Sequence, residues 1–253
     1  ITRLLLAVNK PDIILCRDAS ELSRKAAAQF VSLANVAVKA RGRFCVALSG
    51  GSTPTALYAL LATDEFRSRL PWPQLHLFWG DERCVAPDHD ESNFRMVQEA
   101  LLAKINIPGE NVHRMSGEKA PAAGAADYQA CLQEFFRLSD GELPRFDLVL
   151  LGLGEDGHTA SLFPGSSALD EARRLVATSY VEKLHAHRLS LTLPVINHAA
   201  QISFLVAGGS KAAMVEAILI AGNRALPAAL IQPADGELTW FVTQDAAGAL
   251  VSR

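Results

Sequence analysis

Short apolar runs alternate along this chain with stretches in which apolar residues return every three or four positions, a pattern that predicts strands separated by amphipathic helices. Residues 13–16 read as a short strand. Asp18 and Glu21 then form a capping-box pattern opening a helix whose Leu22, Ala26, Phe30, Leu33 and Ala37 share one face, and Arg41-Gly42 ends it. The next strand is 43–48. It runs into Ser49-Gly50-Gly51-Ser52-Thr53-Pro54, read as a turn with Thr53 as N-cap and Pro54 at the first helical position of a helix carrying Leu57, Leu60 and Leu61 inward. Further strands are predicted over 75–79, 146–150, 188–193, 202–207 and 238–242. Further helices are predicted near 94–104, over 122–138 and from Gly208 to about residue 221, with a polar loop over 86–93.

Strands and helices alternating in this way specify an α/β fold, a Rossmann-like three-layer sandwich with a mostly parallel sheet and helices on both faces. A length of 253 residues, with 49% apolar residues, suits one such domain over 1–253 with a substantial core. No internal repeat, low-complexity linker or coiled-coil heptad interrupts it.

Charge narrows the partners. With 24 basic against 27 acidic residues and a net of −3, no global positive field would gather nucleic acid or an anionic membrane, so any anionic ligand must be held by local groups. Cys16, Cys45, Cys84 and Cys131 are widely spaced with no Cys-x-x-Cys pair, which fits reduced thiols. No apolar run approaches the ~18 residues of a membrane span, and residues 1–8 lack a signal-peptide layout, so a cytoplasmic location is expected. A first residue Ile1 leaves open that the chain is trimmed or cut from a longer polypeptide.

The chemistry concentrates at four predicted strand ends: Ser49 to Thr53, Asp81 to Arg83, Asp156 to His158 and Gly208 to Lys211. In a parallel sheet all four emerge on the carboxyl edge, where α/β proteins bind ligands. Gly50, Gly51, Ser52 and Thr53 before a helix offer free N–H groups and a helix dipole to a phosphate, although the pattern is neither a Walker loop nor a dinucleotide fingerprint. The competing reading is a plain strand-to-helix turn. His158, beside Glu155 and Asp156 in a glycine-rich segment, suits a base that takes a proton from water, with a carboxylate fixing its tautomer; its competing reading is a loop histidine. Arg83 could instead pair with Asp81 or Glu82, and Arg188 and Lys211 could be solvated surface charges. Lys211 at a helix start is disfavoured by the dipole unless an anion offsets it. His76, His113 and His198 read as structural, and His89 or the pair His185 and His187 lacks a believable four-ligand metal set.

The strings Leu48-Ser49-Gly50-Gly51-Ser52-Thr53-Pro54, Trp79-Gly80-Asp81-Glu82-Arg83, the run from Gly152 to Pro164 and Gly208-Gly209-Ser210-Lys211-Ala212 resemble the 6-phosphogluconolactonase family, collinearly from about Asp18 to Trp240-Phe241. The resemblance implies hydrolysis of 6-phospho-D-glucono-1,5-lactone to 6-phosphogluconate in the oxidative pentose phosphate pathway, with no cofactor and no metal. It implies His158 as the water-activating base with Asp156 and Asp81 close by. The phosphate would lie on the 50–53 turn with Lys211 and Arg188, and Arg83 would face the lactone or its hydroxyls. The partner implied is the small phosphosugar lactone, with monomer or homodimer left open. Two rivals are a glucosamine-6-phosphate deaminase or sugar-phosphate isomerase, whose similar pattern has a carboxylate where this chain has Phe163, and a non-enzymatic phosphosugar sensor, which would carry a DNA-binding segment and lose the base. No Gly-x-Ser-x-Gly nucleophile elbow is present.

Overall fold

The computed structural model describes residues 10–182, 186–248 and 250. In chain order its strands are β1 (Asp12–Cys16), β2 (Phe44–Leu48), β3 (Leu75–Trp79), β4 (Asp81–Arg83), β5 (Val112–His113), β6 (Leu148–Leu151), β7 (Val176–Val181), β8 (Ala186–Leu191), β9 (Gln201–Val206) and β10 (Glu237–Thr243). The α-helices are α1 (Ala19–Arg41), α2 (Ser52–Leu61), α3 (Asp64–Arg67), α4 (Asn93–Ala100), α5 (Pro121–Phe136), α6 (Leu193–Asn197), α7 (Ala212–Leu219) and α8 (Gln244–Ala247). Seven strands form one sheet in the order β1-β10-β9-β6-β2-β3-β5, and every pairing in it is parallel.

Strands β2, β6 and β9 are buried at every position, as expected where both faces of a parallel sheet are covered. Residues of all three join one continuous core with Phe30 of α1, Tyr58 of α2 and Leu132 of α5. Each fully buried aromatic or leucine there contributes on the order of 1.5–3 kcal/mol, so this core is the main source of stability. The capping signals of α1 are realised: Asp18 accepts from the Glu21 N–H at 2.8 Å, and Gly42 closes the helix with φ 75°. Among the described residues no helix is long and apolar enough to cross a membrane, and all four cysteines are free thiols.

The structure departs from the sequence reading in four places. The predicted strand 188–193 is β8, over Ala186–Leu191, and it pairs antiparallel with β4 and β7 in a separate three-stranded sheet. Its last two predicted residues leave the strand because Pro194 lies in the first turn of α6. Strand β7 is not among the predicted strands. Helix α2 begins at Ser52 with Gly51 as N-cap, since the Thr55 N–H bonds the Gly51 carbonyl at 3.1 Å and Gly51 adopts φ 102°; Thr53 is therefore helical, not a cap. Helix α4 starts at Asn93 and stops at Ala100, and a 3₁₀ turn over Gly209–Lys211 precedes α7.

The two sheets meet at Gly80, between β3 and β4. Its N–H donates to the Leu48 carbonyl and its carbonyl accepts from the Leu191 N–H, both at 2.8 Å. A Cβ at Gly80 would lie 3.3 Å from the Leu48 oxygen, so glycine permits this close seam. It carries β4 and β8 over the carboxyl ends of β2 and β3.

Candidate active site

The carboxyl ends of β2, β3, β6 and β9 open into a cleft of about 320 Å³. Gly50, Gly51, Asp81, Arg83, His158, Arg188 and Lys211 line it together. Ser52 and Thr53 line an adjoining recess of about 180 Å³ that shares Gly50, Gly51 and Lys211 with the cleft. Asp156 acts from behind His158. All ten candidate residues are thus drawn to one end of the sheet, and Arg188 reaches it from the second sheet.

His158 follows a loop folded tightly on itself. The Gly154 N–H donates to the His158 carbonyl at 2.8 Å, the Gly157 N–H donates to the Gly154 carbonyl at 3.1 Å, and Gly157 takes φ 79°. Gly154 is needed for space: a Cβ there would fall 2.0 Å from His158 Nδ1. Asp156 Oδ1 lies 2.5 Å from His158 Nδ1 and 3.2 Å from the His158 backbone nitrogen. A carboxylate can only accept, so it selects the tautomer with hydrogen on Nδ1 and leaves Nε2 with a lone pair. The Phe163 ring stacks on the imidazole at 4.2 Å between centroids, which fixes the ring plane.

Asp81 faces Ser161 and Asn93 and makes no printed bond to the histidine. Ser161 Oγ donates to its Oδ2 at 2.7 Å, and Asn93 Nδ2 donates to its carbonyl at 2.9 Å and to its Oδ1 at 3.3 Å. Its neighbour Glu82 turns the other way and caps α4, accepting the N–H groups of Asn93 and Phe94 at 2.7 and 2.8 Å. Burial nevertheless pushes the Glu82 carboxyl above its ordinary value, with those backbone donors opposing the shift.

With both acids so engaged, the Arg83 guanidinium donates to the Glu91 carbonyl instead. Arg83 stands directly across from Arg188 in the β4–β8 register. Like charges placed opposite on an antiparallel pair are unfavourable, and here one of them is only 6% exposed with its Nη1 buried and unpartnered. Burial, then the nearby Arg83, lower the proton affinity of Arg188. Such an arrangement is favourable only with an anion to balance it. Lys211 is the N-cap of α7, and Glu155 Oε1 lies 3.8 Å from its Nζ, so the protein supplies part of the offset that a helix-start lysine requires. That contact is exposed and weak.

Asn93, Ser161 and Ser49 are cleft residues that the sequence reading did not assign. Asn93 follows the N-cap Ser92 and stands at the first helical position of α4, a signal hidden when the helix is started at Phe94. His185 lies outside the described residues. His187 packs on Tyr180, and His89 accepts from the Glu91 N–H at 3.1 Å; among the described residues no three His, Cys, Asp or Glu side chains are grouped to hold a metal.

Residues 17–240 match the family model described as glucosamine-6-phosphate isomerases/6-phosphogluconolactonase. Among curated proteins, a 6-phosphogluconolactonase of Nostoc sp. is 44% identical over 221 residues, covering 86% of this chain and 89% of that protein. One of Synechocystis sp. is 46% identical over 213 residues, covering 83% and 86%. Among solved structures, a 6-phosphogluconolactonase from Trypanosoma cruzi superposes with a TM-score of 0.83 at 30% identity, covering 94% of this chain and 96% of that one.

Proposed function

The chain belongs to the family of glucosamine-6-phosphate isomerases and 6-phosphogluconolactonases, and on that premise we propose how its cleft opens a phosphorylated lactone. The activity is hydrolysis of 6-phospho-D-glucono-1,5-lactone to 6-phosphogluconate, within the pentose phosphate pathway. The observation that carries the mechanism is the Asp156–His158 pair, whose Nε2 is left as a proton acceptor.

In the reaction, His158 Nε2 takes a proton from a water as its oxygen adds to the lactone carbonyl carbon, giving a tetrahedral oxyanion. Collapse of that intermediate breaks the bond from the carbonyl carbon to the ring oxygen, and the imidazolium returns its proton to the leaving oxygen. The product is a hydroxy acid that ionises to the carboxylate. Asp156 keeps the imidazole in its working tautomer and stabilises the imidazolium. A lactone carbonyl is already electrophilic, so a base worth ~10²–10⁴-fold and donors aimed at the oxyanion suffice.

The N–H groups of the 50–53 turn, with Lys211 and Arg188, hold the phosphate. Arg83 faces the lactone end, and Asp81 orders the wall between them through Ser161 and Asn93. Phe163, stacked on His158, supplies an apolar face where the deaminase pattern has a carboxylate, which favours ester hydrolysis over ring opening of an amino sugar.

The test is a coupled assay on freshly generated 6-phosphogluconolactone with spontaneous opening subtracted, run beside glucosamine 6-phosphate. Lactone loss well above background is expected, with turnover lowered at least ~10²-fold in a folded His158→Asn variant. Turnover of glucosamine 6-phosphate without lactone hydrolysis would reverse the assignment. Near-normal turnover in His158→Asn would move the base to another group.

A further inference from the structure

Among the described residues, six buried side-chain polar atoms have no hydrogen-bond partner. Three of them, Ser49 Oγ, Asn93 Oδ1 and Arg188 Nη1, belong to residues that line the active-site cleft. Buried polar groups in folded proteins are almost always satisfied, so a concentration of unsatisfied ones along one cavity marks polar partners that arrive with a ligand. Arg188 Nη1 is a donor and suits the phosphate. Asn93 Oδ1 is an acceptor, and a phosphate cannot satisfy it.

The orientation of the Asn93 amide follows from its neighbours. Its Nδ2 faces the Asp81 carbonyl at 2.9 Å and Asp81 Oδ1 at 3.3 Å, both acceptors, so a flipped amide would set oxygen against oxygen. The Asn93 carbonyl oxygen must therefore point away from Asp81. It lies against Gly50, on the opposite wall, where a Cβ would come within 1.9 Å of it. The residue is only 1% exposed. Gly50 thus leaves room for an acceptor that no protein group fills.

We propose that Asn93 Oδ1 accepts a hydrogen bond from one ring hydroxyl of the lactone and makes the enzyme selective for a substrate carrying that hydroxyl. The inference rests on the lactone reading above and deepens it, naming a polyhydroxylated ring as the feature read at this wall. Its physical basis is an asymmetry. A substrate lacking the hydroxyl leaves the buried carbonyl unpaired in the complex, and sites built to bond a hydroxyl reject analogues without it far more strongly than apolar sites reject an added one.

The experiment compares 6-phosphogluconolactone with its 2-deoxy, 3-deoxy and 4-deoxy analogues in wild type, Asn93→Leu and Asn93→Ser, with folding checked by circular dichroism. Wild type should discriminate against one of the three by at least about tenfold in kcat/KM, and in the variants that one ratio should fall to within about twofold while the other two ratios persist. Loss of the Nδ2 bonds to Asp81 slows all four substrates alike and cancels in the ratios. Asn93→Ser, small and still polar, keeps the comparison available if leucine at the start of α4 prevents folding. Wild-type enzyme that hydrolyses all three analogues as well as the parent overturns the proposal with no variant needed. A ratio that survives unchanged in the variants also overturns it and leaves Asn93 as a support for Asp81. Failure of wild type to hydrolyse the parent lactone instead overturns the functional reading itself, and this inference with it.

Discussion

His158 is placed as much by what is missing around it as by its partners. The imidazole occupies the space that a side chain at position 154 would fill, 2.0 Å from an added Cβ to Nδ1 and 2.2 Å to Cε1. Gly154 does not adopt a left-handed backbone, so alanine there meets the ring and not a forbidden φ. Gly154→Ala should therefore fold normally yet turn the imidazole off Asp156, lowering kcat by roughly 10–10²-fold, the penalty typical of a misoriented base. Inhibition by 6-phosphogluconate should change little, because the phosphate contacts lie elsewhere. Comparing kcat with that inhibition constant checks the expectation, and an unchanged kcat would show that the ring has another way to settle. This glycine is legible in the sequence, since Gly152, Gly154 and Gly157 sit beside a histidine. Asn93 is not, because its role depends on Asp81 and Gly50, twelve and forty-three positions away.

At the level of elements, the carboxyl-edge convergence was readable because apolar runs and helical periods fix strand order of appearance, and parallel strands must deliver their following residues to the same edge. The three-stranded sheet was not. Strand β7 has partly exposed residues and pairs only with β8, so its hydrophobic pattern is diluted, and nothing local reveals that β4 leaves the main sheet at Gly80. The outer edge of the main sheet carries a different lesson. In β5, His113 stacks on Phe78 at 4.3 Å, and its Nε2 lies 3.3 Å from Nδ1 of His76 in β3. Burial, then His76, hold His113 down at about 4, and burial followed by Arg43 lowers His76 as well. Unfolded histidine binds its proton near ~6.5. As pH falls from about 6.5 toward 4, the unfolded chain takes up protons that the folded edge refuses, so stability present at neutral pH is progressively lost. Glu21 and Glu118, held at about 2, lose their stabilising contribution only below the ordinary carboxylate range, which leaves pH 6.5 to 5 to the histidines. Thermal unfolding at pH 7 and 5 should show the drop, and His113→Phe, which keeps a stacked ring, should shrink it. An equal drop in wild type and variant would place the acid sensitivity elsewhere.

For the whole molecule the governing fact is a net charge of −3 in a protein whose substrate is itself an anion. No long-range field draws the phosphate in, so its recognition must come from Arg83, Arg188 and Lys211, which the meeting of two sheets and one helix start gathers around one cleft. Strand β8 keeps Arg188 rigid and nearly excluded from water, where a charge-assisted bond is little screened by salt, whereas Lys211 shares its charge with an exposed Glu155. Each contact to phosphate should matter by roughly 1.5–3 kcal/mol, about 10- to 100-fold in kcat/KM. Arg188→Ala and Lys211→Ala are accordingly expected to depress hydrolysis of the phosphorylated lactone by that factor while changing D-glucono-1,5-lactone hydrolysis by less than about threefold, since the base and its carboxylate are untouched. Added salt should erode the Lys211 contribution before that of Arg188. The measurement is the ratio of kcat/KM for the two lactones in wild type and each variant at low and high ionic strength. Equal losses on both lactones would assign these cations to the chemistry or the fold and transfer the phosphate to the N–H groups of the 50–53 turn.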